Sequence, residues 1–134
     1  MNDHEAQRLV LTTLIEEVWN KKRLEALDEL FADDVAIHMS DKDLTGRETI
    51  RNDYIGNFLA GVPDMRIEIV DLFGEAGRFA MRMHCTGTHL GDYFGKAATG
   101  KRLDYTSIVL FRMEGNRIAE IWGHSGAAAQ IAKF

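Results

Sequence analysis

The chain has one cysteine and one proline in 134 residues, and it has neither a run of about 18 apolar residues nor a basic stripe. Each shortage excludes something. A lone thiol, Cys85, cannot close an internal disulfide, which suits a reducing cytoplasm. Its strand-like neighbours point to a small buried apolar side chain. Without a long apolar run, no helix of this chain is expected to span a bilayer. The opening Met1-Asn2-Asp3-His4-Glu5 is acidic with no apolar segment behind it, which argues against a secretory leader. The formal net charge is −5, so nucleic acid and anionic membrane surfaces are poor partners. The composition that remains, 46% apolar and 28% charged, is that of an ordinary globular domain with a real core. Residues 1–134 are expected to form one domain, because no repeat, low-complexity tract or linker interrupts them.

The single proline, Pro63, sits where the residue pattern changes. Before it the chain reads as helical. Leu11, Leu14, Ile15, Val18 and Trp19 recur at helical spacing, and Leu24, Leu27, Leu30 and Phe31 make a shorter stripe that Asp33-Asp34 stops. Val35 to Met39 reads as a first strand. A third helix is expected after Thr45-Gly46, with Thr45 as its cap and Glu48 three residues on. Its Ile50, Tyr54, Ile55 and Phe58 point inward. After Pro63 the period becomes two. Met65, Ile67 and Ile69 alternate with polar residues, as do Phe79, Met81, Met83 and Cys85, then Leu103 to Met113 in steps of two. Ile118, Glu120, Trp122 and His124 form one parity set of the last strand. Gly74-Glu75-Ala76-Gly77 and Glu114-Gly115-Asn116 read as hairpin turns. Gly126 to Lys133 reads as a short terminal helix. Helices first and long strands after them predict an α+β domain, with helices on one face of an antiparallel sheet. Ala80, Ile108 and Leu110 make the second face partly apolar, and a homodimer through that outer face is the expected cover.

The chain holds several candidate sites. Gly95 to Lys101 matches a phosphate-binding loop except that Arg102 stands where Ser or Thr should hold magnesium. A strand rather than a helix follows, so the amide donors of a helix N-terminus are missing. His84, His89 and Asp92 invite a metal reading, but the two histidines differ by an odd number and face opposite sides of a regular strand. No zinc-like Cys/His spacing exists, and no metal is expected. No nucleophile elbow is present. Chemistry here is therefore acid–base work by histidine or carboxylate in an apolar cavity, where desolvation moves pKa values toward neutrality. The candidate catalytic residues are His124, His89 and His38. Each has a plain alternative, a structural hydrogen bond in loop or strand. Tyr54, Phe58 and Trp122 are the candidate walls, or else simply core. The loop Gly87-Thr88-His89-Leu90-Gly91-Asp92-Tyr93-Phe94-Gly95 offers a polar and aromatic lining.

Several segments, in order and over nearly the whole chain, resemble the SnoaL-like polyketide cyclases. They are Glu17-Val18-Trp19-Asn20, Leu27 to Val35, Pro63-Asp64-Met65-Arg66, Gly87-Thr88-His89-Leu90-Gly91, Thr99-Gly100-Lys101-Arg102 and Arg117 to Trp122. The resemblance implies the nuclear-transport-factor-2-like fold: a cone-shaped α+β barrel, a strongly curved sheet wrapped by helices, with a small-molecule pocket and a homodimer. It implies intramolecular aldol condensation of an aromatic polyketide by an acid–base residue, with no metal or organic cofactor. The sequence departs from that family in two places. Gly126 stands where the family carries the acid–base Asp four residues after Trp122, and Met39 follows His38 where Asn or Asp is usual. The expected function is thus cofactor-free cyclase (lyase or isomerase) chemistry on a small hydrophobic carbonyl compound, with His124 in the acid–base role. The alternatives are a hydrolase or dehydratase on the same scaffold and a non-catalytic binding or dimerisation module.

Overall fold

The computed structural model of the chain describes residues 2–123 and 126–134. The first apolar stripe folds as α1 (Asp3–Thr13), continued by a π-helical segment (Leu14–Asn20). Asn2 caps α1: its side-chain oxygen accepts from the Glu5 amide at 2.9 Å, and Asp3 and Glu5 lie at the positive end of the helix dipole. A 3₁₀ turn (Leu24–Ala26) and α2 (Leu27–Leu30) lead into β1 (Phe31–His38). The strand starts four residues earlier than the apolar run suggests. Phe31 is buried, while the exposed Asp33 and Asp34 lie inside the strand instead of ending the helix before it.

A short β2 (Asp43–Thr45) pairs back on β1, and the next helix opens at Gly46. Thr45 is therefore a strand residue and not the expected cap. Gly46, at φ 99°, makes the turn with no side-chain cap hydrogen bond. This helix runs as α3 (Arg47–Thr49), a π-helical middle (Ile50–Gly56) and α4 (Asn57–Gly61). Four long strands follow: β3 (Arg66–Glu75), β4 (Arg78–Thr88), β5 (Arg102–Glu114) and β6 (Arg117–Trp122), then α5 (Gly126–Ile131). Ala76 and Gly77, both at positive φ, form the two-residue turn between β3 and β4, a geometry whose twist matches that of the flanking strands.

The sheet order is β2-β1-β6-β5-β4-β3. The sheet is strongly curved but not closed, and its inner side carries the helices. Every pairing is antiparallel except β1 with β6, which is parallel, so the expected antiparallel sheet is mixed at that one seam. β1 reaches its neighbour only after a helix and a meander of three strands have intervened. The core lies between helices and sheet. Leu11, Val18, Leu27, Val35, Ile50, Met81, Leu103 and Ile118 are fully shut off from solvent there.

Two strands carry one extra residue. In β3, Ile69 faces Met83 and Asp71 faces Arg82, which leaves Val70 over; in β6, Ile118 faces Met113 and Glu120 faces Arg112, which leaves Ala119 over. A bulge of this kind flips the parity of everything after it.

Candidate ligand pocket

The sheet's inner face and the helices leave a cavity of about 90 Å³ between them. Leu14, Ile15 and Trp19 reach it from the first π-helical segment, and Tyr54, Ile55 and Phe58 from the second helix. Met83 and Cys85 of β4 and Tyr105, Ser107, Val109 and Phe111 of β5 form the floor. Both helices thus present their side chains to the cavity from irregular turns. Inserted turns of this type often mark places where helix geometry serves a site.

The Trp19 wall is fixed by backbone clasps. Asn20 donates from Nδ2 to the Ile67 carbonyl at 2.9 Å and accepts from the Ile67 amide at 2.8 Å, so it binds β3 like one more strand residue. Lys22, at φ 61°, donates from Nζ to the Trp19 carbonyl at 2.9 Å and also to the Met65 carbonyl. These contacts satisfy carbonyls that the helix end would otherwise leave open. Trp19 then meets Phe58 edge-on at 5.3 Å.

Among the described lining residues polar groups are few. Burial pushes the Tyr54 phenol up to about 12 and the Cys85 thiol up to about 11, so both keep their protons at neutral pH. Ser107 is 9% exposed, and its hydroxyl has no hydrogen-bond partner among the described residues. No carboxylate and no imidazole is among the described lining residues.

Of the six residues singled out from the sequence, Tyr54 and Phe58 lie together on the cavity wall, their rings 6.4 Å apart. Trp122 does not join them. The extra residue Ala119 separates buried Ile118 from the set that follows, so Ile121 faces the cavity while Glu120 and Trp122 face outward. The parity that placed Ile118, Glu120 and Trp122 on one face fails at that bulge.

His38 is outside as well. Its Nε2 meets Glu120 Oε2 at 2.6 Å and its Nδ1 meets Asp43 Oδ1 at 2.9 Å, while its ring stacks on Trp122 at 5.5 Å. Arg112 holds the other Glu120 oxygen at 2.9 Å. Hydrogen bonds to Asp43 and then to Glu120 raise the His38 pKa above its ordinary value; those from Arg112 and then from His38 lower that of Glu120.

His89 is fully buried, but its surroundings belong to a second layer. Its Nδ1 lies 2.9 Å from the Thr99 hydroxyl, and its ring lies between Tyr93 and Phe134. The loop that carries it supplies none of the described lining residues. It backs the wall instead, with Tyr93 edge-on to Phe58 at 5.4 Å. Gly91 makes that docking possible: a Cβ there would come within 2.1 Å of the Ala60 carbonyl oxygen, and the Leu90 and Gly91 amides both donate to the Gly61 carbonyl. His124 lies outside the described residues.

The sequence reading passed over Cys85, Tyr105 and Ser107 as site residues. Period two places all three on the inward faces of their strands, but only the pairing of β4 with β5 sets Cys85 beside Tyr105 and Met83 beside Ser107. Gly126 packs on the same patch. A Cβ there would sit 2.7 Å from Tyr105 Cδ2, so any side chain at 126 requires the Tyr105 ring to move. Among the described residues no group of three His, Cys, Asp or Glu side chains is placed to hold a metal ion. None of the described helices is long and apolar enough to cross a membrane.

A curved mixed sheet roofed by two irregular helices, with an apolar hollow between them, is the architecture of one broad class of small-molecule-binding α+β cones. Residues 9–133 match the model of the SnoaL-like polyketide cyclase family, and the chain belongs to that family. Solved structures agree in fold. A protein from Jannaschia sp. CCS1 assigned as a SnoaL-like polyketide cyclase superposes with a TM-score of 0.87 at 15% identity, covering 96% of this chain and 90% of that one. One from Acidithiobacillus ferrooxidans assigned as a polyketide cyclase gives 0.82 at 22% identity, covering 99% of each. IdmH from Streptomyces antibioticus, with the same assignment, gives 0.75 at 27% identity, covering 95% of this chain and 96% of that one. Among curated proteins no sequence matches the chain.

Proposed function

We propose that the chain binds a small, neutral, largely hydrophobic carbonyl compound in this cavity and carries out cofactor-free acid–base chemistry on it, of the intramolecular aldol type. The observation that carries this reading is the character of the cavity. Its described walls are aromatic and aliphatic, and among them Tyr54 and Cys85 keep their protons at neutral pH. A charged ligand would enter such a site unpaired, at a large desolvation cost, whereas a neutral one gains from apolar burial. An aldol step needs a base to take a proton next to a carbonyl and a donor to steady the oxygen as it becomes negative. In this reading Tyr54 supplies the donor and Phe58 a wall, since both line the cavity. We assign the base to His124, which follows the lining residue Gly123 in the chain. His38 is held by Asp43 and Glu120 on the outer face and His89 Nδ1 by Thr99 behind the wall, so this reading gives neither of them a step.

Cyclohexanone is a minimal probe. With saturating wild-type protein in deuterated water, exchange of its α-protons, followed by NMR, is expected to accelerate. His124→Ala is expected to lose roughly 10²-fold or more of that rate. Full rate in the variant removes His124 from the mechanism. Binding without any acceleration by wild type favours the non-catalytic binding module, the reading supported by a described lining without any ionised group. A hydrolase would need carboxylates to position water, and the described lining holds none.

We also infer a homodimer through the outer sheet face, supported by an apolar row that crosses four strands. Phe73, Ala80, Leu110 and Trp122 are successive partners across β3, β4, β5 and β6, and Ile108 lies beside them; Phe73 and Ile108 are 65% and 64% exposed. A cytoplasmic location fits the lone buried thiol.

A further inference from the structure

The geometry points to Ser107 as the residue that reads the ligand: its hydroxyl takes the oxygen of a neutral ketone no larger than one ring at the cavity floor. This inference rests on the cavity being the ligand site. Ser107 is nine-tenths buried, lines the cavity and has no hydrogen-bond partner for its Oγ among the described residues. Buried polar atoms are nearly always satisfied, and an unpaired one in a cavity wall is a partner that a ligand oxygen can supply.

Its neighbours sharpen the point. The cross-strand partner is Met83, and the same-face neighbours along β5 include Val109 and Phe111. In that company alanine would pack equally well and leave nothing unpaired. The other polar groups of the floor, the Tyr105 hydroxyl and the Cys85 thiol, belong to cross-strand partners one pair away on that face. Ser107 therefore has free donor and acceptor capacity in a wall of the space a ligand fills.

Size and charge complete the description. About 90 Å³ is less than the ~150 Å³ apolar cavity known to hold benzene. One small ring fits if Met83, an unbranched and adaptable side chain, gives way. A fused multi-ring skeleton does not fit within it whole. With Tyr54 and Cys85 both protonated, nothing on the described walls balances a charge on the ligand.

The isosteric pair cyclohexanone and methylenecyclohexane isolates the oxygen. Both are titrated into the full chain labelled at its methionine methyls, with Met83 as reporter. In wild type both compounds shift Met83. In Ser107→Ala the ketone is expected to lose about tenfold in affinity relative to the hydrocarbon, and Ser107→Cys, with its weaker donor, is expected to fall between. Without ligand, Ser107→Ala is expected to melt higher than wild type, because an unpaired buried hydroxyl has gone. An unchanged affinity ratio in Ser107→Ala overturns the role given to Ser107 and leaves the pocket intact as a site. If neither compound shifts Met83 in wild type, the pocket reading itself falls, and this assignment falls with it.

Discussion

The two faces of one sheet hold opposite chemistry. Inside, the polar atoms of Tyr54, Cys85 and Ser107 are neutral, sparse and set among apolar walls. Outside, charges come in matched sets: His38 with Asp43 and Glu120, Glu120 with Arg112, Arg82 with Asp71, His84 with Asp104. The same residue type means different things on the two sides. An imidazole outside, half shielded and held by two carboxylates, is fixed as part of a surface network. A hydroxyl inside, with no partner, is open to a visitor. On the outer face the ionisable side chains named here already have partners, and among the described residues the modest polar groups line the hollow.

The strongest way to break this contrast is to cut into the inner wall. Phe111 is buried and lines the cavity. Phe111→Ala is expected to cost about 3–5 kcal/mol in urea unfolding, with any enlargement of the cavity visible as binding of bulkier ketones. A loss below about 1 kcal/mol would mean that the wall collapses and the hollow is not a fixed feature.

The outer face predicts the reverse. Ile108→Glu leaves the fold within about 0.5 kcal/mol, as an exposed substitution should, but separates the proposed dimer into monomers by light scattering. A wild-type chain that is already monomeric at micromolar concentration ends the dimer inference.

The smallest effect is in the outer network's response to pH. His38 titrates above its ordinary 6.5 and Glu120 below its ordinary 4.5, each favouring the charged form in the folded chain. The histidine's contribution is complete below its unfolded pKa and fades as pH rises through its folded one. The carboxylate's is complete above its unfolded pKa and fades as pH falls through its folded one. Stability from this pair thus peaks between the two ordinary values. Glu120→Gln is expected to lower the His38 pKa in an NMR titration and to flatten that maximum, and an unmoved His38 pKa would show the contact to be inconsequential.

Much of this arrangement was readable in the residues. The apolar stripe from Leu11 to Trp19, the inward set Phe79, Met81, Met83 and Cys85, and the pair Tyr54 and Phe58 all lie where spacing puts them. Reading failed where one residue is inserted. Ala119 has nothing in its type to announce a bulge, yet it decides that Trp122 faces Leu110's neighbours outside and not the hollow. The cap at Thr45 failed for a related reason: a three-residue strand leaves too short a pattern to see, and it claimed the residue. Ser107 was visible as an inward position but not as a site, because an unmet hydroxyl is a property of its neighbours and they come from another strand.

The π-helical segments set how this chain tolerates change in length. Each widens the turn that carries wall residues, Trp19 and Tyr54 among them. Taking one residue out of positions 50–56 would restore a regular helix and re-aim Tyr54 and Ile55, which line the chamber, while the turn that carries Phe58 keeps its phase.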